Sequence, residues 1–266
     1  MKTVIYSIIV LGVLGGLFGA ALAYASKVFH VEVDEKQVAV RECLAGANCG
    51  GCGYPGCDGY AAAVASGNAP TNLCVAGGSV AAVKIAGIMG VTPDEKDRMV
   101  AFVPCSGGAG HAAVRFNYSG PKDCRSAMLF GGQSSKLCTY SCMGLGNCVR
   151  ECSFDAIHIV GGVAQVNRHK CVGCGSCAAI CPKGVIEMIP ASQRTIVTCR
   201  NHDKGAQVMK ECDMGCIGCS KCARECPQGA IVIEDNLARI NPELCSGCGH
   251  CVEICPRHII KSLSKA

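Results

Sequence analysis

The first strong pattern in the chain is an apolar run near its N-terminus. Residues 4–25 read VIYSIIVLGVLGGLFGAALAYA and contain no charged side chain. At 1.5 Å per residue a helix over this run is about 33 Å long, which is enough to cross a hydrocarbon core of about 30 Å. The sequence therefore predicts a single transmembrane anchor over residues 1–26, followed by a linker over residues 27–37.

A cleaved signal peptide is the alternative, because Lys2 precedes the run and residues 21–25 offer two A-x-A sites. Cleavage would export a chain crowded with thiols, so we favour a retained single span. Basic residues follow the run at Lys27, Lys36 and Arg41. The positive-inside rule then predicts an N-terminus outside the cell and all later domains in the cytoplasm, at the cytoplasmic (inner) membrane.

Alternating apolar positions in the C-terminal half predict two β-hairpins. Residues 157–160 and 163–166 flank the dipeptide Gly161-Gly162, and residues 231–234 and 237–240 flank Asp235-Asn236. Two-residue turns of these types join antiparallel strands. Helical patterns cover residues 60–66 and 80–91, with a turn at 92–94. The fold class that follows is α+β.

Cysteine usage changes this picture most. The 266 residues include 25 cysteines, and the run C-x2-C-x2-C-x3-C-P occurs at residues 171–182, 216–227 and 245–256, with a stretched version at 138–153. This is the bacterial ferredoxin signature for 4Fe–4S clusters. A zinc site would need four ligands that converge on one ion, and three close cysteines followed by Cys-Pro fit that poorly. The chain is predicted to carry electrons.

In such runs the first three cysteines hold one cluster and the fourth ligates the neighbouring one. We therefore predict two tandem bacterial-type two-cluster ferredoxin folds, over residues 138–190 and 216–266. The predicted ligand sets are Cys138, Cys142, Cys148 with Cys181; Cys171, Cys174, Cys177 with Cys152; Cys216, Cys219, Cys222 with Cys255; and Cys245, Cys248, Cys251 with Cys226.

A different spacing marks residues 38–92, which contain Cys49, Cys52, Cys57 and Cys74 in the pattern C-x2-C-x4-C-x16-C. The stretch from Ala47 to Cys57, ANCGGCGYPGC, resembles the four-cysteine Fe–S domain found in the B subunits of Rnf complexes, the ion-translocating ferredoxin:NAD oxidoreductases. The anchor and the later ferredoxin array extend the resemblance over essentially the whole chain. Alanines stand at positions 45 and 76 where that family usually has proline, which bears on loop rigidity and not on ligation.

Two segments predicted to connect these units, residues 93–137 and 191–215, repeat one layout with a period of roughly ninety residues. Each has an apolar residue two before one cysteine and an acid just before another. We predict that Cys105, Cys124, Cys199 and Cys212 hold a sixth cluster between the halves; two pairs of reduced structural cysteines are the alternative. The cofactor content is then five to six 4Fe–4S clusters. Cys43 is read as a spare buried cysteine.

Net charge and missing motifs narrow the function. The formal charge is +5, but each oxidised cubane with four thiolates carries about −2, so six clusters would bring the protein to roughly −7. No basic patch with interleaved aromatics suggests a nucleic-acid partner. The sequence lacks the Walker A, H-E-x-x-H and G-x-S-x-G motifs, and its G-x-G-x-x-G match at residues 51–56 lies inside the N-terminal cysteine pattern, which predicts no hydride or other substrate chemistry in this chain itself. His158 and His202 are read as surface or strand residues.

The resemblance implies an electron-transfer subunit that takes electrons from ferredoxin and passes them to other Rnf subunits in the membrane. Those subunits would reduce NAD and move Na+ or H+ across the lipid bilayer. One alternative is a polyferredoxin that serves a hydrogenase or another reductase and pumps no ion. Another is a scaffold with purely structural clusters.

Overall fold

A computed structural model describes residues 2–28, 34–92, 97–108, 110–129 and 134–263. The first element, α1, spans Lys2–Val28. Its segment Ile9–Val28 has a mean hydropathy of 1.9 and none of it is buried. The helix is long and apolar enough to cross a membrane, by length and composition. It covers the predicted anchor and continues two residues into the predicted linker.

Three helices form the next unit: α2 (Glu35–Cys43), α3 (Gly56–Ala65) and α4 (Gly78–Met89). The Asp34 carboxylate caps α2 by accepting from the N–H of Lys36 at 2.9 Å. The helices enclose a core that includes Val40, Tyr60 and Ile85.

Helix boundaries in this unit differ from the predicted ones. α2 begins inside the segment predicted as a linker, because Asp34 caps it and Val40 is fully buried against the other helices. α3 starts at Gly56, four residues before the predicted helix. α4 starts and ends two residues early, and Gly90, in the left-handed conformation, terminates it. Of the predicted turn at 92–94, residues 93 and 94 lie outside the described residues.

The first ferredoxin-like unit is built from short elements around one core. In chain order they are β1 (Met99–Phe102), α5 (Cys124–Leu129), α6 (Asn147–Glu151), β2 (Ile157–Val160), β3 (Val163–Val166), α7 (Ser176–Ile180) and β4 (Glu187–Pro190).

The second unit repeats this plan around its own core. Its elements are β5 (Thr195–Val197), α8 (Gly205–Glu211), α9 (Lys221–Arg224), β6 (Ile231–Glu234), β7 (Leu237–Ile240), α10 (His250–Ile254) and β8 (Ile260–Ser262).

Both predicted hairpins are confirmed. β2 pairs antiparallel with β3, and β6 with β7, in the registers that the two-residue turns require. All four turn residues have positive φ, which glycine adopts freely and which Asn and Asp tolerate. Each hairpin contributes buried apolar residues to the core that also contains cysteines of its unit.

The segments predicted to connect the units are instead part of them. β1 pairs antiparallel with β4, and β5 with β8, so each unit closes with a strand that precedes its cysteine run. The two segments also contact each other: the N–H of Ala113 donates to the carbonyl of Glu211 at 2.8 Å, and Ala112 forms a β-bridge with Cys212. Sequence patterns did not reveal these long-range pairings because a three- or four-residue strand carries little periodicity.

Deleting residues 1–33 tests the role of α1. Because none of Ile9–Val28 is buried, the deletion removes no core contact, and the remainder should keep its fold. We expect the full chain in the membrane fraction and the truncated chain in the soluble fraction, with equal iron content per chain. A truncated chain that still sediments with membranes would assign membrane binding to another surface.

Candidate functional site: five cysteine-lined cavities

The cysteines of the two ferredoxin-like units surround five cavities of about 330 to 390 Å³. Four cysteines line each of them. Cavity A is lined by Cys152, Cys171, Cys174 and Cys177; cavity B by Cys124, Cys142, Cys148 and Cys181; cavity C by Cys105, Cys138, Cys199 and Cys212; cavity D by Cys216, Cys219, Cys222 and Cys255; and cavity E by Cys226, Cys245, Cys248 and Cys251.

These cavities fit iron–sulfur clusters better than single ions. Among the described residues, no three His, Cys, Asp or Glu side chains converge on a position that would hold one metal ion. The thiols instead stand around a space, as four ligands of a cubane do. Thiolate sulfur is the ligand type that such clusters take in proteins.

Burial makes these thiols poor acids. It raises the pKa of Cys148 to about 12, with further upward contributions from neighbouring thiols, and that of Cys138, Cys177 and Cys222 to about 11. Removing the charged form from water is the main cause in each case. A bound group that carries positive iron offsets this cost, so these sites favour a metal cluster over bare thiolates.

Short helices produce the crossed arrangement. α6 carries Cys148, which lines cavity B, and is followed by Cys152, which lines cavity A. α7 does the reverse, with Cys177 in cavity A and Cys181 in cavity B. In the second unit, α10 likewise carries Cys251 of cavity E and is followed by Cys255 of cavity D. The structure thus brings together the predicted sets at cavities A, D and E.

Cavities B and C differ from the predicted sets by one exchange. Cys138, predicted beside Cys142, lines cavity C, and Cys124, predicted with Cys105, lines cavity B. The turn at residues 139–141 separates Cys138 from Cys142, so that the two thiols face different cavities. On the other side, α5 begins at Cys124, whose N–H donates to the Asn147 side chain at 2.7 Å. This bond ties α5 to the start of α6 and hence to cavity B.

Cavity C lies between the two halves and has the most N–H donors directed at its sulfurs. The Cys199 sulfur accepts from the N–H groups of Asn201 at 3.5 Å and Cys216 at 3.3 Å. The side-chain amide of Asn201 donates to the Cys138 sulfur at 3.4 Å. Asn201 is only 2% exposed, and its amide also donates to the buried carboxylate of Glu211 at 2.8 Å. Such donors favour the reduced, more negative form of a cluster.

Cavities A and B also receive N–H donors from the backbone. The N–H of Ala101 donates to Cys171 at 3.3 Å, that of Ala156 to Cys152 at 3.4 Å, and that of Val185 to Cys181 at 3.4 Å. β1, the loop before β2 and the loop before β4 supply these groups. The fold therefore places backbone dipoles against the sulfurs, in addition to bringing the sulfurs together.

The N-terminal unit positions its cysteines against its own core. Cys52, Cys57 and Cys74 are half-buried against the cluster that includes Tyr60, whereas Cys49 lies in the preceding loop. The N–H of Cys57 donates to the Asn48 side chain at 2.8 Å, and the N–H of Gly77 to the Cys74 sulfur at 3.4 Å. Cys43 is half-buried against the same core.

This loop contacts cavity A directly. Gly51, between Cys49 and Cys52, lies so close to Cys174 that a β-carbon at Gly51 would stand 2.9 Å from the Cys174 Cα. On the opposite side, Gly173 has a positive φ of 78° and leaves no room for a β-carbon beside the Met99 carbonyl. Two glycines thus allow the N-terminal loop and β1 to approach the cavity A loop closely.

Contacts along the chain connect neighbouring cavities. Cys105 of cavity C and Cys142 of cavity B pack against the same core. Cys216 of cavity D donates its N–H to Cys199 of cavity C. The resulting order is the N-terminal cysteines, then cavities A, B, C, D and E.

Sequence patterns did not identify Asn201, Gly51, Lys183 or Arg257 as residues of these sites. The sequence did contain one sign that Cys138 belongs to another cavity. Three and five residues separate the first three cysteines of its run, whereas two and two separate those of the other runs. His158 and His202 line none of the five cavities. His158 lies on β2 with its Nε2 3.5 Å from the Asp155 carboxylate, and His202 lies edge-on to Tyr140.

Comparison with known protein families agrees with this layout. Residues 44–76 match a family described as "Putative Fe-S cluster". Residues 164–187 match the "4Fe-4S binding domain" family, and residues 215–259 the "4Fe-4S dicluster domain" family. The matched ranges contain the N-terminal cysteine loop, three cysteines of cavity A, and all the cysteines of cavities D and E.

Full-length relatives, all of them B subunits of ion-translocating complexes, extend the likeness to the whole chain. The relative from the Na+-translocating ferredoxin:NAD+ oxidoreductase complex of Acetobacterium woodii is 42% identical over 92% of this chain and 74% of its own length. The one from the ion-translocating oxidoreductase complex of Methanosarcina acetivorans is 42% identical over 98% of both chains. The proton-translocating counterpart from Clostridium ljungdahlii is 40% identical over 92% of this chain and 87% of its own. With such identity over nearly its entire length, the chain belongs to the family of B subunits of Rnf-type, ion-translocating ferredoxin:NAD oxidoreductase complexes.

Proposed function

We propose that this chain holds six 4Fe–4S clusters in one row and relays electrons from ferredoxin to the membrane subunits of an Rnf complex. The complex would couple this flow to NAD reduction and to Na+ or H+ translocation. The observation that carries the proposal is the continuous order of four-cysteine groups from the N-terminal unit to cavity E. When bound, each cluster accepts and releases one electron; the chain's part is to hold, bury and align them.

The proposed ligands are the four cysteines of each cavity, together with Cys49, Cys52, Cys57 and Cys74. This uses the same 24 residues that the spacing predicted, with Cys124 and Cys138 exchanged between cavities B and C. Cys105, Cys199 and Cys212 support a sixth cluster because they lie with Cys138 around one space and not as separate pairs. Other Rnf subunits and ferredoxin are the proposed protein partners, and membrane lipid surrounds α1.

Paired cysteine substitutions test the exchange. Full occupancy corresponds to about 24 iron atoms per chain, and each lost cluster removes about four. Cys105 and Cys138 line one cavity, so the double variant Cys105→Ala/Cys138→Ala should retain about 20 iron atoms. Cys105→Ala/Cys124→Ala, which affects two cavities, should retain about 16. Anaerobic iron and acid-labile sulfide analysis measures both, and the reverse pattern would favour the grouping predicted from the sequence.

The two ends of the row have different surroundings. The N-terminal end follows α1 closely, since only residues 29–33 lie between that helix and Asp34. Lys27, Lys36 and Arg41 near this junction favour a cytoplasmic location for the cavities. At the other end, Cys248 of cavity E is exposed. We place the membrane partners at the first end and the soluble donor at the second.

A comparison of the two repeated units supports cavity E as the end at which ferredoxin docks. Cys174 and Cys248 occupy the same position in their runs, but the N-terminal loop covers Cys174 through Gly51, whereas Cys248 is exposed. In the first unit, a second cysteine loop therefore already packs against this type of loop, which supports docking of another cysteine unit at the equivalent position. Leu244, 54% exposed at the edge of the cavity E loop, gives that surface an apolar contact. A ferredoxin seated there would bring its cluster close to cavity E.

Leu244→Glu should slow electron transfer from ferredoxin, because docking would have to desolvate the new carboxylate. We expect the second-order rate constant for reduction by reduced ferredoxin to fall about tenfold, equivalent to about 1.4 kcal/mol. Stopped-flow absorbance of the full chain in detergent measures it. As a control, Val160→Glu changes a residue of similar exposure (52%) on the first unit, and ferredoxin should reduce this variant at the rate of the unmodified chain. Dithionite, which needs no docking site, should reduce Leu244→Glu at the unmodified rate. Equal slowing in Leu244→Glu and Val160→Glu would contradict docking of ferredoxin at cavity E.

Cys177→Ala tests whether the row is continuous. The substitution removes a cavity A ligand, so the N-terminal cysteines lose their neighbour in the row. We expect about 20 iron atoms, normal membrane insertion and ferredoxin-dependent NAD reduction by the assembled complex at a few per cent of the starting rate. Undiminished NAD reduction would contradict the relay.

A further inference from the structure

Two basic residues occupy equivalent positions in the repeated units. Lys183 follows Cys181-Pro182 at the edge of cavity B, and Arg257 follows Cys255-Pro256 at the edge of cavity D. Cavities B and D are the two neighbours of cavity C. The fourth cysteines of the other two runs, Cys152 beside cavity A and Cys226 beside cavity E, are followed at the same position by Phe154 and Gln228. Among these four cysteines, a basic residue therefore follows only the two that line cavities B and D, the neighbours of cavity C.

Lys183 reaches from cavity B toward cavity C. It lines cavity B, and its ammonium donates to the carbonyl of Thr139, the residue that follows Cys138 of cavity C. Its ammonium is near enough to Cys138, Cys142 and Cys181 for their charges to act on it, and the nearby Arg200 acts in the opposite direction. The ammonium thus lies between a ligand of cavity C and ligands of cavity B.

Arg257 makes the corresponding connection from the other side. It lines cavity D, and its Nη2 donates to the carbonyl of Cys212, a cavity C ligand, at 2.8 Å. Its Nε is buried and has no hydrogen-bond partner among the described residues. A buried N–H of a guanidinium is costly without an acceptor, and cluster or cysteine sulfur at the edge of cavity D would supply one.

From these positions we infer that Lys183 and Arg257 are positioning residues that raise the reduction potential of the cluster in cavity C from both sides. Adding an electron makes a cluster more negative, and a nearby buried cation stabilises that state. Cavity C is next to both cations. Cavity D is next to Arg257, and cavity B is next to Lys183 and also to the buried Lys136, whose ammonium donates to the Cys142 carbonyl at 2.9 Å. The inference rests on the proposed cluster content.

Other charged groups near cavity C act in both directions. Arg200 lines the cavity and donates to the Gly184 carbonyl, which adds a third cation. The buried Glu211 carboxylate, bonded to Asn201 and Gln207, opposes one of them. The donors from Asn201 and Cys216 act in the same direction as the cations. Lys183 and Arg257 therefore act on cavity C together with these donors and against the carboxylates of Glu211 and Asp213.

The test is a redox titration of the detergent-extracted full chain, followed by electron paramagnetic resonance. Lys183→Gln and Arg257→Gln retain an N–H donor for the carbonyl but remove the charge. Lys183→Arg and Arg257→Lys retain the charge. Lys221→Gln, at an exposed lysine beside Cys222 of cavity D, is the matched control, because solvent screens its charge.

We expect each Gln variant to lower the midpoint potentials of two signals, with one signal shifted in both variants. That shared signal belongs to cavity C, and the charge-retaining variants and Lys221→Gln should leave it in place. Unshifted midpoints in both Gln variants at full iron content would overturn the inference while leaving the proposed relay intact. The same shift in Lys221→Gln would also overturn it. An iron-free chain would overturn the relay and the inference together.

Discussion

Four thiols gathered around one buried space are the arrangement on which the rest of this protein depends. Burial opposes ionisation of these thiols, as the raised pKa values of Cys138, Cys148 and Cys199 show. Iron in the cavity reverses that preference and adds its binding free energy to folding. This explains how units with helices of four to seven residues and strands of three or four can be stable without a large apolar core.

The same constraint joins the two halves of the chain. Cavity C takes Cys105 and Cys138 from the first half and Cys199 and Cys212 from the second, so a cluster bound there would cross-link the repeats. Protein contacts already align them: Ala113 pairs with Glu211, and Ser106 Oγ donates to Thr198 Oγ1 at 2.6 Å. The two ferredoxin-like units are therefore held in fixed relation, as a row of redox centres requires.

The ends of this row are chemically distinct although the units repeat. The N-terminal loop covers the cavity A loop through Gly51, and the equivalent loop of cavity E is open to solvent. Between them, half-buried cations and N–H donors lie around cavity C. The cavities thus differ in their surroundings because they occupy different positions in the duplicated fold, although their cysteine runs are similar.

Local signals in the sequence determined the N-terminal apolar helix, both hairpins and the cysteine runs, because each depends on spacing within a few residues. The ferredoxin pattern of those runs also predicted the crossed sets at cavities A, D and E. Tertiary structure decided the rest. Asp123-Cys124 resembles Glu211-Cys212 in sequence, yet Cys124 lines cavity B with Cys142 and Cys138 takes the place beside Cys212. Which sulfurs meet at cavity C follows from the turn at residues 139–141 and the pairing of two distant segments, and no local spacing encodes either one.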